Sequence, residues 1–238
     1  MYIERTIIEQ LRLWKKRPDR KPLLLFGARQ IGKTWVLKHF GETDFDAMAY
    51  FSFDEDSSLG DIFRTTKDPQ RIIEQLSFLT DALIKPATTL IVFDEIQECP
   101  SARASLKFFK LDGRYDVICT GSLLGVNGYK TKEEAAEEAN ASIPVGFEQI
   151  VMMYPMDFEE WLWANGIEQQ HTDYLRHCLE RETPVSEGIH QRMRQLLLQY
   201  IVVGGMPERG ADGAARHHRD LQGRHAEIRP TGRQTTHP

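Results

Sequence analysis

Cysteine is scarce: Cys99, Cys119 and Cys178 are the only three in 238 residues. An odd, scattered set excludes a disulfide framework and offers no zinc-ligand spacing, so the thiols read as reduced and the chain as cytoplasmic. Long apolar runs are missing too. Nothing approaches the roughly 20 residues of a membrane-spanning helix, and Met1-Tyr2-Ile3-Glu4-Arg5 lacks a signal-peptide pattern. Positive charge is in deficit, with 30 Lys and Arg against 35 Asp and Glu and a net charge of −5. General attraction to nucleic acid is therefore not indicated. The basic stretch Lys15-Lys16-Arg17-Pro18-Asp19-Arg20-Lys21 reads as a solvated helix end before it reads as a phosphate contact. There is no internal repeat. What is left is an ordinary globular composition, 41% hydrophobic and 27% charged, long enough for one core and a small appendage.

Against that background one segment stands out. Residues 27–34 read Gly-Ala-Arg-Gln-Ile-Gly-Lys-Thr, a complete G-x-x-x-x-G-K-T phosphate-binding loop. It lies between the apolar run Pro22-Leu23-Leu24-Leu25-Phe26 and the helical start Trp35-Val36-Leu37-Lys38-His39-Phe40. Backbone N–H groups of such a loop, with those of the helix N-terminus, form a nest suited to polyanionic phosphate. Gly27 and Gly32 allow backbone angles and close approach that side chains would block. The nucleotide-binding set expected is Gly27, Ala28, Arg29, Gln30, Ile31, Gly32, Lys33, Thr34 and Trp35. Lys33 would reach the β- and γ-phosphates, and the Thr34 hydroxyl would bind Mg²⁺.

A second strand, Thr88-Thr89-Leu90-Ile91-Val92-Phe93, ends in Asp94-Glu95. Its unbroken apolar character suits a parallel strand covered on both faces. Ligands of open α/β sheets sit outside the carboxyl ends of the strands, so both acids should emerge beside the loop. Asp94 can hold Mg²⁺ together with Thr34. Glu95 is then free to orient and deprotonate an attacking water. A third run, Tyr115-Asp116-Val117-Ile118-Cys119-Thr120, is followed by Gly121-Ser122 as a turn. Thr120 and Ser122 either sense the γ-phosphate or serve only as a β-former and a cap.

The remaining chain alternates strand and helix, which argues a parallel sheet. Helices are expected over 4–16, 68–84, 100–111, 155–164 and 187–203, with further strands at 48–53 and 148–154. In the 68–84 helix Ile72, Ile73, Leu76, Leu79 and Leu83 share one face. The aromatics Phe158, Trp161 and Trp163, with Leu162 beside them, read as packing in preference to base stacking. The charge-dense stretch 130–141 reads as an exposed helix or loop. Lys33 and Asp94 lie far enough apart in the chain for one strand between their own, which suits P-loop ATPases with an extra strand over simple kinases.

These motifs together resemble a prokaryotic AAA-type, archaeal-ATPase-like P-loop family. The marks are the loop at 27–34, Phe-Asp-Glu-Ile-Gln at 93–97, Thr-Gly-Ser at 120–122, Pro-Val-Gly at 144–146, Tyr-Pro-Met-Asp-Phe-Glu-Glu at 154–160 and Gly-Gly-Met-Pro-Glu at 204–208. The resemblance covers about the first 208 residues. It implies an α/β fold, a P-loop NTPase parallel sheet flanked by helices, with a small C-terminal helical region. It also implies ATP, adenine over guanine, and a C-terminal domain after the Gly-Gly-Met-Pro segment. Members commonly complete the site with an arginine; Arg181, Arg192 and Arg194 are candidates and no motif selects one.

The expected layout is a P-loop ATPase domain over 1–166, a helical lid or start of a C-terminal region over 167–208, and a tail over 209–238. That tail has no aromatic residue and no lysine, keeps only Leu221 and Ile228 as large aliphatics, and holds four of the eight histidines. Its composition suggests disorder, and a truncated or frameshifted family member. Solvated imidazoles are the reading for His217 and His218. The expected function is Mg²⁺-dependent ATP binding and hydrolysis, with Lys33 and Glu95 catalytic and Thr34 and Asp94 on the metal. It would couple nucleotide state to a conformational change, a homo-oligomer or a protein partner. The alternative is a switch or partner-binding module that scarcely turns over.

Overall fold

The computed structural model describes residues 4–80, 83–122 and 146–207; the charge-dense stretch 130–141, Pro144-Val145, Glu208 and the tail lie outside the described residues. The chain divides into two compact units. One is Arg5–Pro155, and the described part of the other is Glu4 with residues 156–207.

In the first unit the order is α1 (Ile7–Lys15), β1 (Leu23–Gly27), α2 (Lys33–Asp44), β2 (Ala47–Ser52), α3 (Leu59–Thr65), α4 (Pro69–Thr80), β3 (Thr89–Asp94), α5 (Pro100–Asp112), β4 (Asp116–Ser122) and β5 (Gln149–Met152). A 3₁₀ turn, Ile96–Glu98, joins β3 to α5. The five strands form one sheet in the order β2-β3-β4-β1-β5, every neighbouring pair parallel. The three central strands are buried along their whole length, as continuous apolar runs require when both faces are covered. The edge strands β2 and β5 are only partly buried.

Strand alternation splits the core into two layers. On one face Phe51, Phe93, Val117 and Cys119 join Phe53, Phe63, Ile72, Leu76 and Phe109 in one cluster. Phe93 sits at its centre, with ring centroids 5.3 Å from Phe63 and 5.8 Å from Phe53. Leu23, Leu25, Leu90, Val92 and Ile118 alternate with these and are fully buried, as are Leu11, Val36, Leu37 and Phe40 of α1 and α2. A part-buried ion pair between Arg20 and the buried Asp116 ties the start of β4 to the segment before β1.

The strand expected between β1 and β3 in the chain is present as β2, at the sheet edge, and β4 lies between them in the sheet. Two details depart from expectation. β4 runs through Gly121 and Ser122, where a turn was expected, because Phe26 and Gly27 of β1 extend the ladder to meet them. In α4, Ile72, Ile73 and Leu76 are buried, but Leu79 is 56% exposed and Leu83, beyond the helix end, 73%. Periodicity says which face is apolar, not how far along the axis a partner reaches.

The second unit contains α6 (Phe158–Ala164), α7 (Gln169–Glu180) and α8 (Glu187–Val203). Asp157 caps α6 in a capping box: its carboxylate accepts from Glu160 N–H at 2.8 Å, and the Glu160 carboxylate accepts from Asp157 N–H at 3.3 Å. Met156, Trp161, Leu162, Ala164 and Leu196 form the buried cluster, with Phe158 and Tyr200 packed on it. The Tyr200 hydroxyl donates to Met156 O at 2.9 Å. Gly205 lies so close to Met156 that a Cβ there would stand 2.1 Å from its carbonyl oxygen.

Candidate nucleotide site

Gly27 ends β1 and Lys33 begins α2, so the loop joins a buried strand to a helix N-terminus. A Cβ on Gly27 would meet Ile31 Cδ1 and Met153 O, each at 2.4 Å. Gly32 has φ 91°, a left-handed value that disfavours any other residue. Gln30 is also left-handed, at φ 63°. Ala28, Arg29 and Gln30 are exposed, whereas Ile31 is fully buried. The loop is held from behind by Arg5, whose guanidinium donates to Ile31 O at 2.9 Å and Tyr154 O at 2.7 Å.

Lys33 is buried, with Nζ donating to Gly27 O at 3.1 Å and Ala28 O at 2.8 Å. Burial pulls its pKa below the ordinary lysine value; Glu95 and then Asp94 oppose that shift and Arg29 adds to it. Trp35 is partly exposed and stacks on His39 along α2, ring centroids 5.5 Å apart.

Parallel pairing brings Gly27, Ser122 and Asp94 to one end of the sheet. Asp94, buried at the end of β3, is the hub. Its Oδ2 accepts from the Thr34 hydroxyl at 3.1 Å and from the Tyr50 hydroxyl. Its Oδ1 accepts from the Thr120 hydroxyl and from the backbone N–H of Glu95 at 3.1 Å. That N–H also reaches Thr120 Oγ1 at 3.2 Å. Thr120 and Ser122 are fully buried in the last residues of β4. Burial, then the bond to Asp94, pushes the Tyr50 phenol well above the ordinary tyrosine range.

Glu95 is half-buried and left-handed, φ 51° and ψ 52°, a conformation that costs a non-glycine residue about 1–2 kcal/mol. Its carboxylate accepts from the Gln97 side-chain amide. The Gln97 side-chain oxygen Oε1 has no hydrogen-bond partner among the described residues, and a Cβ on Gly121 would come within 3.0 Å of it. Sequence reasoning missed Tyr50 and Gln97 as site residues. Gln97 lies inside the 93–97 motif, but nothing in the residues around Tyr50 signals a contact 44 positions away.

Thr34 and Asp94 present oxygen atoms within hydrogen-bond distance of each other, a donor set that suits a hard cation such as Mg²⁺. Among the described residues no group of three or more His, Cys, Asp or Glu that could hold a metal occurs. Arg181, Arg192 and Arg194 are exposed on the second unit. No helix among the described residues is long and apolar enough to cross a membrane.

The family model described as an AAA domain matches residues 19–162, more than half the chain. Among curated proteins none matches the sequence. Similar solved structures include a point variant of RuvB from Thermotoga maritima, with 13% identity and a TM-score of 0.49 over 94% of this chain and 64% of that one. The chain therefore spans less than two thirds of that protein.

Proposed function

Because the chain belongs to the AAA domain family, whose members are nucleotide-binding ATPases, we propose that it binds ATP with Mg²⁺ and hydrolyses it. The observation carrying this reading is the contact of Thr34, the last loop residue, with Asp94 at 3.1 Å, which joins the phosphate loop to the acidic strand end. In this reading the loop and the α2 N-terminus cradle the β- and γ-phosphates, and Lys33 supplies a cation from within the loop. Thr34 and Asp94 would hold Mg²⁺, which neutralises phosphate charge when bound. Glu95 takes a proton from the attacking water. Thr120 fixes Asp94 and meets the Glu95 N–H, so it reaches the nucleotide through both acids. Nucleotide state would then be passed to the C-terminal helices or to a partner, a second copy of the chain included.

Replacing Glu95 by Gln should leave ATP binding intact and lower phosphate release by on the order of 10² or more. Turnover equal to the parent's would remove Glu95 from this role. The engagement of Glu95 by Gln97 favours a second reading, a nucleotide-dependent switch with little turnover. Phosphate release measured across protein concentrations separates the two. Turnover that rises with self-association supports hydrolysis completed by an arginine from a second copy.

A further inference from the structure

An ionised carboxylate offers about four lone-pair sites, and Asp94 has four donors: Thr34, Tyr50, Thr120 and the Glu95 N–H. The carboxylate is saturated. A carboxylate that holds Mg²⁺ through the ion's water shell must accept a hydrogen bond from that water, so one donor has to yield. Three are poorly placed to do so. The Glu95 N–H is backbone, Thr120 is fully buried on the central strand β4, and Thr34 is the loop hydroxyl that the reading above assigns to the metal. Tyr50 differs. It sits on the edge strand β2, its side chain is half-buried, and its ring faces the Lys38 ammonium at 5.0 Å.

We propose that the Tyr50 hydroxyl occupies the outer-shell position on Asp94 that a hydrated divalent cation requires. Tyr50 then caps the Asp94 carboxylate in the absence of the cation and is displaced when the cation arrives. The inference rests on the Mg²⁺–nucleotide reading above. It assigns Tyr50 a role in setting the metal concentration at which nucleotide is held, as a competitor and not as a ligand.

The test is Tyr50→Phe, which keeps the ring over Lys38 and removes the competing hydroxyl. ADP binding is measured with EDTA and across a MgCl₂ titration in the parent and the variant. The half-saturating Mg²⁺ concentration should fall in the variant by about tenfold, the lower end of what a hydrogen bond to a charged group is worth, each protein being read against its own ADP affinity in EDTA. In the ADP-saturated parent, Mg²⁺ should perturb a tyrosine absorption band, and the variant should lack that change. An unchanged or higher half-saturating Mg²⁺ overturns the inference alone. A parent protein without Mg²⁺-dependent ADP binding overturns the nucleotide reading and this inference with it. If the variant fails to fold, the parent's tyrosine signal decides: its absence overturns the assignment.

Discussion

The two compact units solve the burial problem differently. Arg5–Pro155 encloses three strands so fully that every residue of β1, β3 and β4 is buried. The helices of the second unit gather around a cluster of five buried residues and leave Leu179, Leu198, Ile201 and Val202 each more than half exposed. A sheet with helices on both faces shields its strands completely. The three helices described in the second unit present one stripe each and cannot. Rigid placement of chemistry therefore belongs to the first unit: the loop end, Asp94 and Ser122 are ends of strands locked into one ladder.

This contrast can be broken most directly at the centre of the sheet. Phe93→Ala removes the ring around which Phe51, Phe53, Phe63 and Phe109 pack and should cost about 3–5 kcal/mol. Denaturant unfolding reads this as a lowered midpoint at unchanged slope. A loss under 1 kcal/mol would mean that the aromatic layer is not the core it looks like. Next comes the α6 cap. Asp157→Ala removes a carboxylate that accepts from Glu160 N–H at 2.8 Å and should cost about 1 kcal/mol. Hydrogen exchange should report it in residues 158–164, with β1, β3 and β4 protection unaltered. Faster exchange in those strands would show that the two units do not respond separately. The smallest effect is expected at the open face of α8. Ile201→Ser, at a position 67% exposed, should shift stability by no more than about 0.5 kcal/mol. A larger loss in a thermal melt would show that this face is covered in solution.

Much of the site was legible in order along the chain. Gly27–Thr34 and Asp94-Glu95 carry their spacing and their flanking apolar runs locally, and short-range chemistry suffices to read them. The helix α3 was not foreseen, and α7 only as part of a helical region over 167–208. The register that puts Ser122 opposite Gly27 was missed as well, because a turn and a strand end share the same residues. The shared face of α4 was read from the period, but the helix was expected to reach residue 84 and ends at Thr80, so Leu83 lies beyond it, and burial along that face stops at Leu76, since the reach of a covering layer is a property of three dimensions.

By itself the sequence determined the elements: a strand–loop–helix for phosphate, an acidic pair closing a buried strand, and alternation that demands parallel pairing. Those signals are local, set by backbone angles at glycine and by hydrophobic period. Only the tertiary structure decided what meets Asp94. Thr34, Tyr50 and Thr120 come from three separate elements, and their hydroxyls converge because the strand order β2-β3-β4-β1 sets β2 and β4 on either side of β3. Strand order follows from packing the whole sheet against its helices. No window of neighbouring residues contains it.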